Sequence, residues 1–479
     1  MRIPVSIIFT LIFFSCNYAD GFYLEDISIP VTEFNEKYKD YEENPFIKVA
    51  EQEITTFALD ADGGSYTNSR RFLNDGQTPP KAAVRIEEYL NYFTFDYLDP
   101  TDGENVSLES EISGCPWNPD HHLIRLGMKG NFLPLSQIPN SNFVFLIDIS
   151  GSMASADKLD LLKKGFKTLT DNLRPQDRIS IATYAGQAGV ILEPTLGSEK
   201  IKIKTAIDQL GAGGSTAGLE GIITAYELAE KHFIAGGNNR VILGTDGDFN
   251  VGISSTDELI KLIEEKKESG IFLTVLGVGT GNLNETMMEQ LADNGNGNYE
   301  YIDNVSQIQK VFTHEISKFH TIAKDGKIQV KFNKNMVDSY RLIGYENRSL
   351  NNKDFANDAK DAGEIGAGQT ITAIYEVDLL DAQKDDTIAH FDFRYKKPNE
   401  EVSRLITHTI NSPPLDFAKS SENMRFAASI AGFGLIMKQS QYKGKLNKQM
   451  VQDMGKNAVA FDPHDYRKEF LNLVKEWKE

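Results

Sequence analysis

The stretch Phe143-Val144-Phe145-Leu146-Ile147-Asp148-Ile149-Ser150-Gly151-Ser152 decides the architecture. It opens with an unbroken apolar run, the pattern of a strand buried on both faces rather than one facing water. An acid and two hydroxyls then follow at alternate positions. In extended backbone, alternate side chains project to the same side. Asp148, Ser150 and Ser152 therefore bring their oxygens together directly after a buried strand. In open sheets covered by helices, that is where ligands bind.

Outward from this stretch, helix and strand alternate through residues 142–320. Helices are expected over Lys158–Leu173, Glu199–Leu210, Thr216–His232, Thr256–Ser269, near Glu285–Leu291, and over Val305–Ile322. Strands are expected over Arg178–Tyr184, Val190–Leu192, Arg240–Thr245, Ile271–Leu276 and Tyr299–Ile302. The alternation predicts an α/β fold with a doubly wound, Rossmann-like parallel sheet. Two more loops carry oxygen chemistry to the same edge. One is Gly211-Ala212-Gly213-Gly214-Ser215-Thr216, at a helix start, and the other is Thr245-Asp246-Gly247-Asp248, directly after a strand. Hard oxygen donors of this kind suit Mg²⁺, which keeps octahedral geometry and several waters; Mn²⁺ and Ca²⁺ are the other candidates. Asp248 reads as a solvated turn.

Asp148, Ser150, Ser152, Thr216 and Asp246, in that order and separation, resemble the metal-ion-dependent adhesion site of von Willebrand factor type A domains. The resemblance implies that both serines and the threonine touch a divalent cation, while the aspartates act through water or as close acceptors. It also implies that an acidic group of a partner completes the coordination sphere. Phe57–Tyr97, with Arg70-Arg71-Phe72-Leu73-Asn74-Asp75-Gly76 and Val84-Arg85-Ile86-Glu87-Glu88, resembles the N-terminal segment of a bacterial subfamily. Arg341–Arg348 and Ala362–Gly368 resemble its C-terminal segment. Members are commonly predicted to be exported or lipid-anchored, and the resemblance implies a metal-gated binding protein rather than an enzyme. The partner would be a protein or a surface polymer presenting a carboxylate. A metal-assisted hydrolase, or an envelope scaffold with a structural ion, are the alternatives.

The expected organisation is a signal peptide with lipobox (1–16), a tether (17–48), an N-terminal flanking segment (49–137) and the type A domain (138–322). A β-rich segment (323–412) and a helical segment (413–479) follow. The flanks are expected to pack together as a β-rich α+β companion domain, with strands from 106–130 and 327–395, into which the type A domain is inserted. Residues 17–48 are rich in charge and lack periodicity, the signature of limited order.

Val5–Phe14 is nearly all apolar. A run of about ten residues is too short to span a bilayer but suits a signal peptide. Cys16 follows in a loose lipobox, which places the protein in the cell envelope, lipid-anchored to a bacterial membrane. Cleavage after Ala19 is the alternative. Either outcome leaves Cys115 alone, so no intrachain disulfide forms. With 40% hydrophobic and 25% charged residues the chain has ordinary globular usage. Its 69 acids against 50 bases, a net charge of −19, repel phosphate backbones and argue against nucleic acid.

Other motifs read as structure. Gly277-Val278-Gly279-Thr280-Gly281 and the 211–214 glycines lack the context of phosphate or dinucleotide loops and mark close turns. Asp60-Ala61-Asp62-Gly63-Gly64-Ser65 lacks the remaining ligands of a calcium loop, and Ser65 is expected as a helix N-cap. His121-His122 have no zinc-spaced partners. No nucleophile elbow occurs.

Overall fold

The apolar run at 143–147 lies inside a strand, Ser141–Asp148, that is buried throughout. The computed structural model describes residues 35–101, 103–185, 189–214, 218–247, 256–380, 386–411 and 413–478. The N-terminal part contributes β1 (Ile47–Lys48), β2 (Ile54–Ala58), α1 (Gly64–Asn74), α2 (Ile86–Asn91), β3 (Val106–Gly114) and β4 (His122–Gly130). The central part holds β5 (Ser141–Asp148), α3 (Leu159–Asn172), β6 (Arg178–Tyr184), β7 (Gly189–Leu196), α4 (Lys200–Asp208) and α5 (Gly218–Lys231). It continues with β8 (Asn238–Thr245), α6 (Thr256–Glu268), β9 (Ile271–Val278), α7 (Glu285–Asn294), β10 (Tyr299–Ile302) and α8 (Val305–Gln309). The last part has β11 (Thr321–Phe332), β12 (Val337–Ile343), β13 (Gly363–Gly366), β14 (Thr370–Leu379), β15 (Thr387–Lys396) and β16 (Arg404–Asn411), then α9 (Glu422–Met437), α10 (Lys448–Gly455) and α11 (Tyr466–Glu476).

The central sheet is six-stranded in the order β10-β9-β8-β5-β6-β7. All neighbours are parallel except β6 and β7. Strand alternation divides β5 between two cores. Phe143, Phe145 and Ile147 pack with Leu162, Phe166 and Leu169 of α3, while Val144 and Leu146 pack with Ile222, Ala225 and Tyr226 of α5. Chain progression reverses at β5, where β6 lies on one side and β8 on the other, so the carboxyl ends of β5 and β8 flank the crevice that such sheets use for ligands. Gly221 lets α5 approach closely: a Cβ there would lie 2.5 Å from Tyr184 Cβ.

Strands from both flanks build the companion domain. One antiparallel sheet runs β1-β12-β14-β4-β3, and the other runs β13-β11-β15-β16 with β2 also on β11. Phe57, Ile328, Val330, Phe391 and Phe393 of the second sheet share a core with Ile124, Leu126, Tyr340 and Tyr375 of the first. A further core gathers α1, α2, α9 and α11 around Tyr66, Tyr89, Phe93, Phe426, Phe433 and Phe470. Pairing between β4 and β14, far apart in sequence, closes the flanks around the inserted central domain.

Three expectations are corrected. The helix over Val305–Ile322 is broken: α8 ends at Gln309, a π turn covers Lys310–His314, a 3₁₀ turn covers Ile316–Phe319, and Thr321 already begins β11. The pull is the pairing of Thr321 and Ala323 with β13, which places a boundary at 322 inside a strand. The 17–48 tether is ordered in its described portion. Glu36 pairs with Arg71, Lys37 bridges Asn284, and Ile47–Lys48 add an edge strand to β12. Scattered charge hid this because each contact is made to a distant partner. Ser65 is not an N-cap; Gly63 holds that position, and Ser65 instead ties α1 to Glu88 and the Ala83 carbonyl.

Buried charge locks the central domain to its companion. Arg70 of α1 grips Asp303 beyond β10 at 2.6 Å and Glu469 of α11 at 2.9 Å. Glu87 of α2 is buried beneath Gly344, whose Cβ would come 2.6 Å from Oε2. Burial, then the Glu346 and Asp60 carboxylates, push Glu87 up to about 7 from 4.5, against the pull of Lys438. Between those values the folded chain keeps a proton that the unfolded chain has lost, so the Glu87 contribution to stability falls as pH rises through this window. Glu87→Gln should therefore raise the free energy of unfolding, read by urea titration, by about 1–3 kcal/mol at pH 8 and leave it nearly unchanged near pH 4.5.

Candidate metal centre

Asp148 ends β5 and is fully buried. Its Oδ1 accepts from the Ser150 backbone N–H at 2.8 Å, and its Oδ2 accepts from Tyr184 Oη at 2.9 Å and Thr245 Oγ1 at 3.2 Å. Both oxygens are thus oriented by neighbours, as suits a carboxylate that acts on an ion from close by. Burial pushes this carboxyl above its ordinary value and the nearby Asp246 charge adds to the effect, while the donors from Ser150 and Tyr184 oppose it. A positive charge placed between the two acids would relieve that strain.

The loop after Asp148 turns through a 3₁₀ segment, Gly151–Ala154. It leaves Ser150 Oγ and Ser152 Oγ 2.9 Å apart. Neighbouring oxygens on an octahedral ion with bonds of 2.0–2.1 Å stand about 2.9 Å apart, so the two hydroxyls already have the spacing of adjacent Mg²⁺ ligands. The glycine loop is pinned beside them: Gly213 N–H donates to the Ile149 carbonyl at 2.7 Å, and Gly151 N–H donates to the Gly214 carbonyl at 3.3 Å. This holds the start of the loop that leads to Thr216. Thr216 itself, like Asp248 and Cys16, lies outside the described residues.

Asp246, directly after β8, is fully buried, and the preceding Thr245, which donates to Asp148, also accepts the Gly247 N–H at 3.1 Å. The Lys158 ammonium donates to Asp246 Oδ2 at 2.9 Å, and the Asn282 amide donates to the same oxygen at 3.0 Å. Sequence reading missed Lys158, Asn282, Tyr184 and Thr245 as parts of this site. Thr245 was next to a predicted ligand and Asn282 followed a recognised glycine turn, but nothing local marked Lys158 or Tyr184 as facing the acids.

A second group of acids, Asp60, Glu88 and Glu289, brings oxygens within 4.8 Å of one another. Their counter-ions are already in place. Arg85 Nη1 meets Glu88 at 3.1 Å and also Glu289, and Arg348 meets Asp60 at 2.8 Å and Glu289 at 3.2 Å. Guanidinium pairing, not a metal, accounts for this cluster.

Among family models, that of the von Willebrand factor type A domain matches residues 142–314, one described as von Willebrand factor matches 32–125, and one for the C-terminal region of the uncharacterized protein YfbK matches 317–387 and 378–479. YfbK of Escherichia coli (strain K12) is 40% identical over 469 residues, covering 91% of this chain and 80% of that protein. The chain belongs to the YfbK family of von Willebrand factor type A proteins. Among solved structures, the conserved hypothetical protein BatB from Bacteroides thetaiotaomicron is 26% identical, with a TM-score of 0.32 over 38% of this chain and 98% of its own. A von Willebrand factor type A protein from Catenulispora acidiphila is 14% identical, with a TM-score of 0.44 over 79% of this chain and 92% of its own. A type A domain suggests a role in protein interaction, often metal-dependent.

Proposed function

We propose that this YfbK-family protein is a non-catalytic, metal-dependent binding protein of the bacterial cell envelope. In this reading Asp148, Ser150, Ser152, Thr216 and Asp246 hold Mg²⁺ or Mn²⁺. The ion takes a carboxylate from a protein or surface polymer as its outer ligand. Three of the donors are neutral hydroxyls, so the ion keeps enough charge to demand an anionic partner. The observation that carries the reading is the Ser150–Ser152 hydroxyl pair at 2.9 Å beside the buried Asp148. Attachment through Cys16 would put the site at a membrane surface. Among the described residues no helix is long and apolar enough to cross a membrane.

The test is a calorimetric titration of the full chain with Mg²⁺ and Mn²⁺, beside capture of envelope components with and without chelator. One saturable site, weakened in Ser152→Ala, together with chelator-sensitive capture, is the expected result. No ion binding together with capture that ignores chelator would leave only the fold.

A further inference from the structure

Lys158 stands at the entry to α3 and is 6% exposed. Its stem lies across Gly279, where a Cβ would come within 2.3 Å of the lysine carbons and where φ is +77°. The missing side chain is the seat for the lysine. From that seat the ammonium donates to Asp246 Oδ2 at 2.9 Å and Asn282 Oδ1 at 2.8 Å, while Asn282 Nδ2 donates to the same Asp246 oxygen at 3.0 Å. Lysine, amide and carboxylate close a triangle at the edge of the metal centre.

The Asn282 loop is held from outside by the N-terminal segment. Asn35 N–H donates to the Gly281 carbonyl at 3.0 Å, and Lys37 N–H donates to the Leu283 carbonyl at 2.8 Å. Glu36 Oε1 accepts the Gly281 N–H at 2.8 Å. Glu36 is in turn fixed by both Arg71 terminal nitrogens, at 3.0 and 2.9 Å, and by Tyr38 Oη at 2.6 Å. Gly247, next to Asp246, abuts the same loop, for a Cβ there would lie 2.6 Å from the Asn284 nitrogen.

We propose that Lys158 is a built-in cation that competes with the divalent ion for Asp246, and that the strap Asn35–Tyr38 keeps it there by holding Asn282. This rests on the metal-centre reading above and adds its regulation. Asp148 and Asp246 together present two negative charges, and Lys158 cancels one of them. A dication entering the centre meets that ammonium in a poorly screened environment, where like charges repel far more than in water. Letting go of the strap frees Asn282, which frees Lys158 to turn toward solvent. The N-terminal segment is therefore coupled to the metal centre through Asn282 and Lys158.

The test uses the full chain and Mn²⁺ alone, titrated by calorimetry into wild type, Lys158→Met, Glu36→Gln and the double variant, with hydrogen exchange read at 280–284. Lys158→Met is expected to bind Mn²⁺ about tenfold or more tighter. Glu36→Gln is expected to speed exchange at 280–284 and to tighten binding about threefold or more, and the double variant to match Lys158→Met, since both act on one pathway. Equal or weaker binding by Lys158→Met would overturn the competition. Additive gains, or unchanged affinity despite faster exchange in Glu36→Gln, would overturn the strap. Absence of Mn²⁺ uptake by both wild type and Lys158→Met would instead overturn the metal-centre reading; uptake by Lys158→Met alone supports the proposal.

Discussion

Arg348→Met is expected to destabilise the chain by about 3–5 kcal/mol, chiefly the cost of leaving the buried Asp60 carboxylate without its partner, with a smaller part from the half-exposed Asp293. Arg348 follows β12 and reaches Asp60 at 2.8 Å, Glu289 at 3.2 Å and Asp293 at 2.7 Å. It therefore joins both flanks to α7 of the central domain. Arg85 would remain as the counter-ion for Glu88 and Glu289, while Asp60 and Asp293 would lose theirs. The defect should grow with pH. Even with Arg348 present, burial pushes Asp293 up to about 6 from 3.8, so the folded chain binds the extra proton and stability falls as pH rises between those values. Without the guanidinium that window extends upward. Urea unfolding at pH 5 and pH 8 measures both effects, and adding Asp293→Asn to Arg348→Met should recover part of the loss at pH 8. A variant as stable as wild type at pH 8 would refute the lock.

Asp148→Asn is expected to weaken Mg²⁺ binding by about 100-fold while leaving the fold intact. The amide preserves the shape of the side chain, and its oxygen can still accept from Ser150 N–H. Its nitrogen can donate to the hydroxyls of Tyr184 and Thr245, which accept as well as donate. What it removes is a buried charge whose ionised form is disfavoured by burial and by Asp246. In chelator the variant should therefore unfold at slightly higher urea than wild type. Loss of ion binding together with a gain in ion-free stability separates a binding centre from a fold element. A variant that loses both would mark Asp148 as structural.

The parallel sheet was legible because its signals are local. Residues 143–147 are apolar at every position, which few structures other than a strand buried on both faces require, and β6 and β10 fall at Arg178–Tyr184 and Tyr299–Ile302 as periodicity predicts. The alternation Asp148-x-Ser150-x-Ser152 was equally local, and the structure places those oxygens at the carboxyl edge where the strand ends. The long helix predicted at 305–322 failed at its end because Thr321 and Ala323 pair with β13, a partner more than forty residues away.

Periodicity tells which face of an element is buried but not what covers it. That is why Glu36, Arg71, Lys158 and Arg348 were unreadable as partners. Each is an ordinary charged residue whose role comes from a counterpart brought near only when the chain closes. The strand and ligand pattern are thus written in neighbouring residues, through side-chain alternation. The pairing of β4 with β14, the seating of Lys158 on Gly279, and the buried acid–guanidinium seam follow only from tertiary packing, because burial there forces each charge to find a distant opposite.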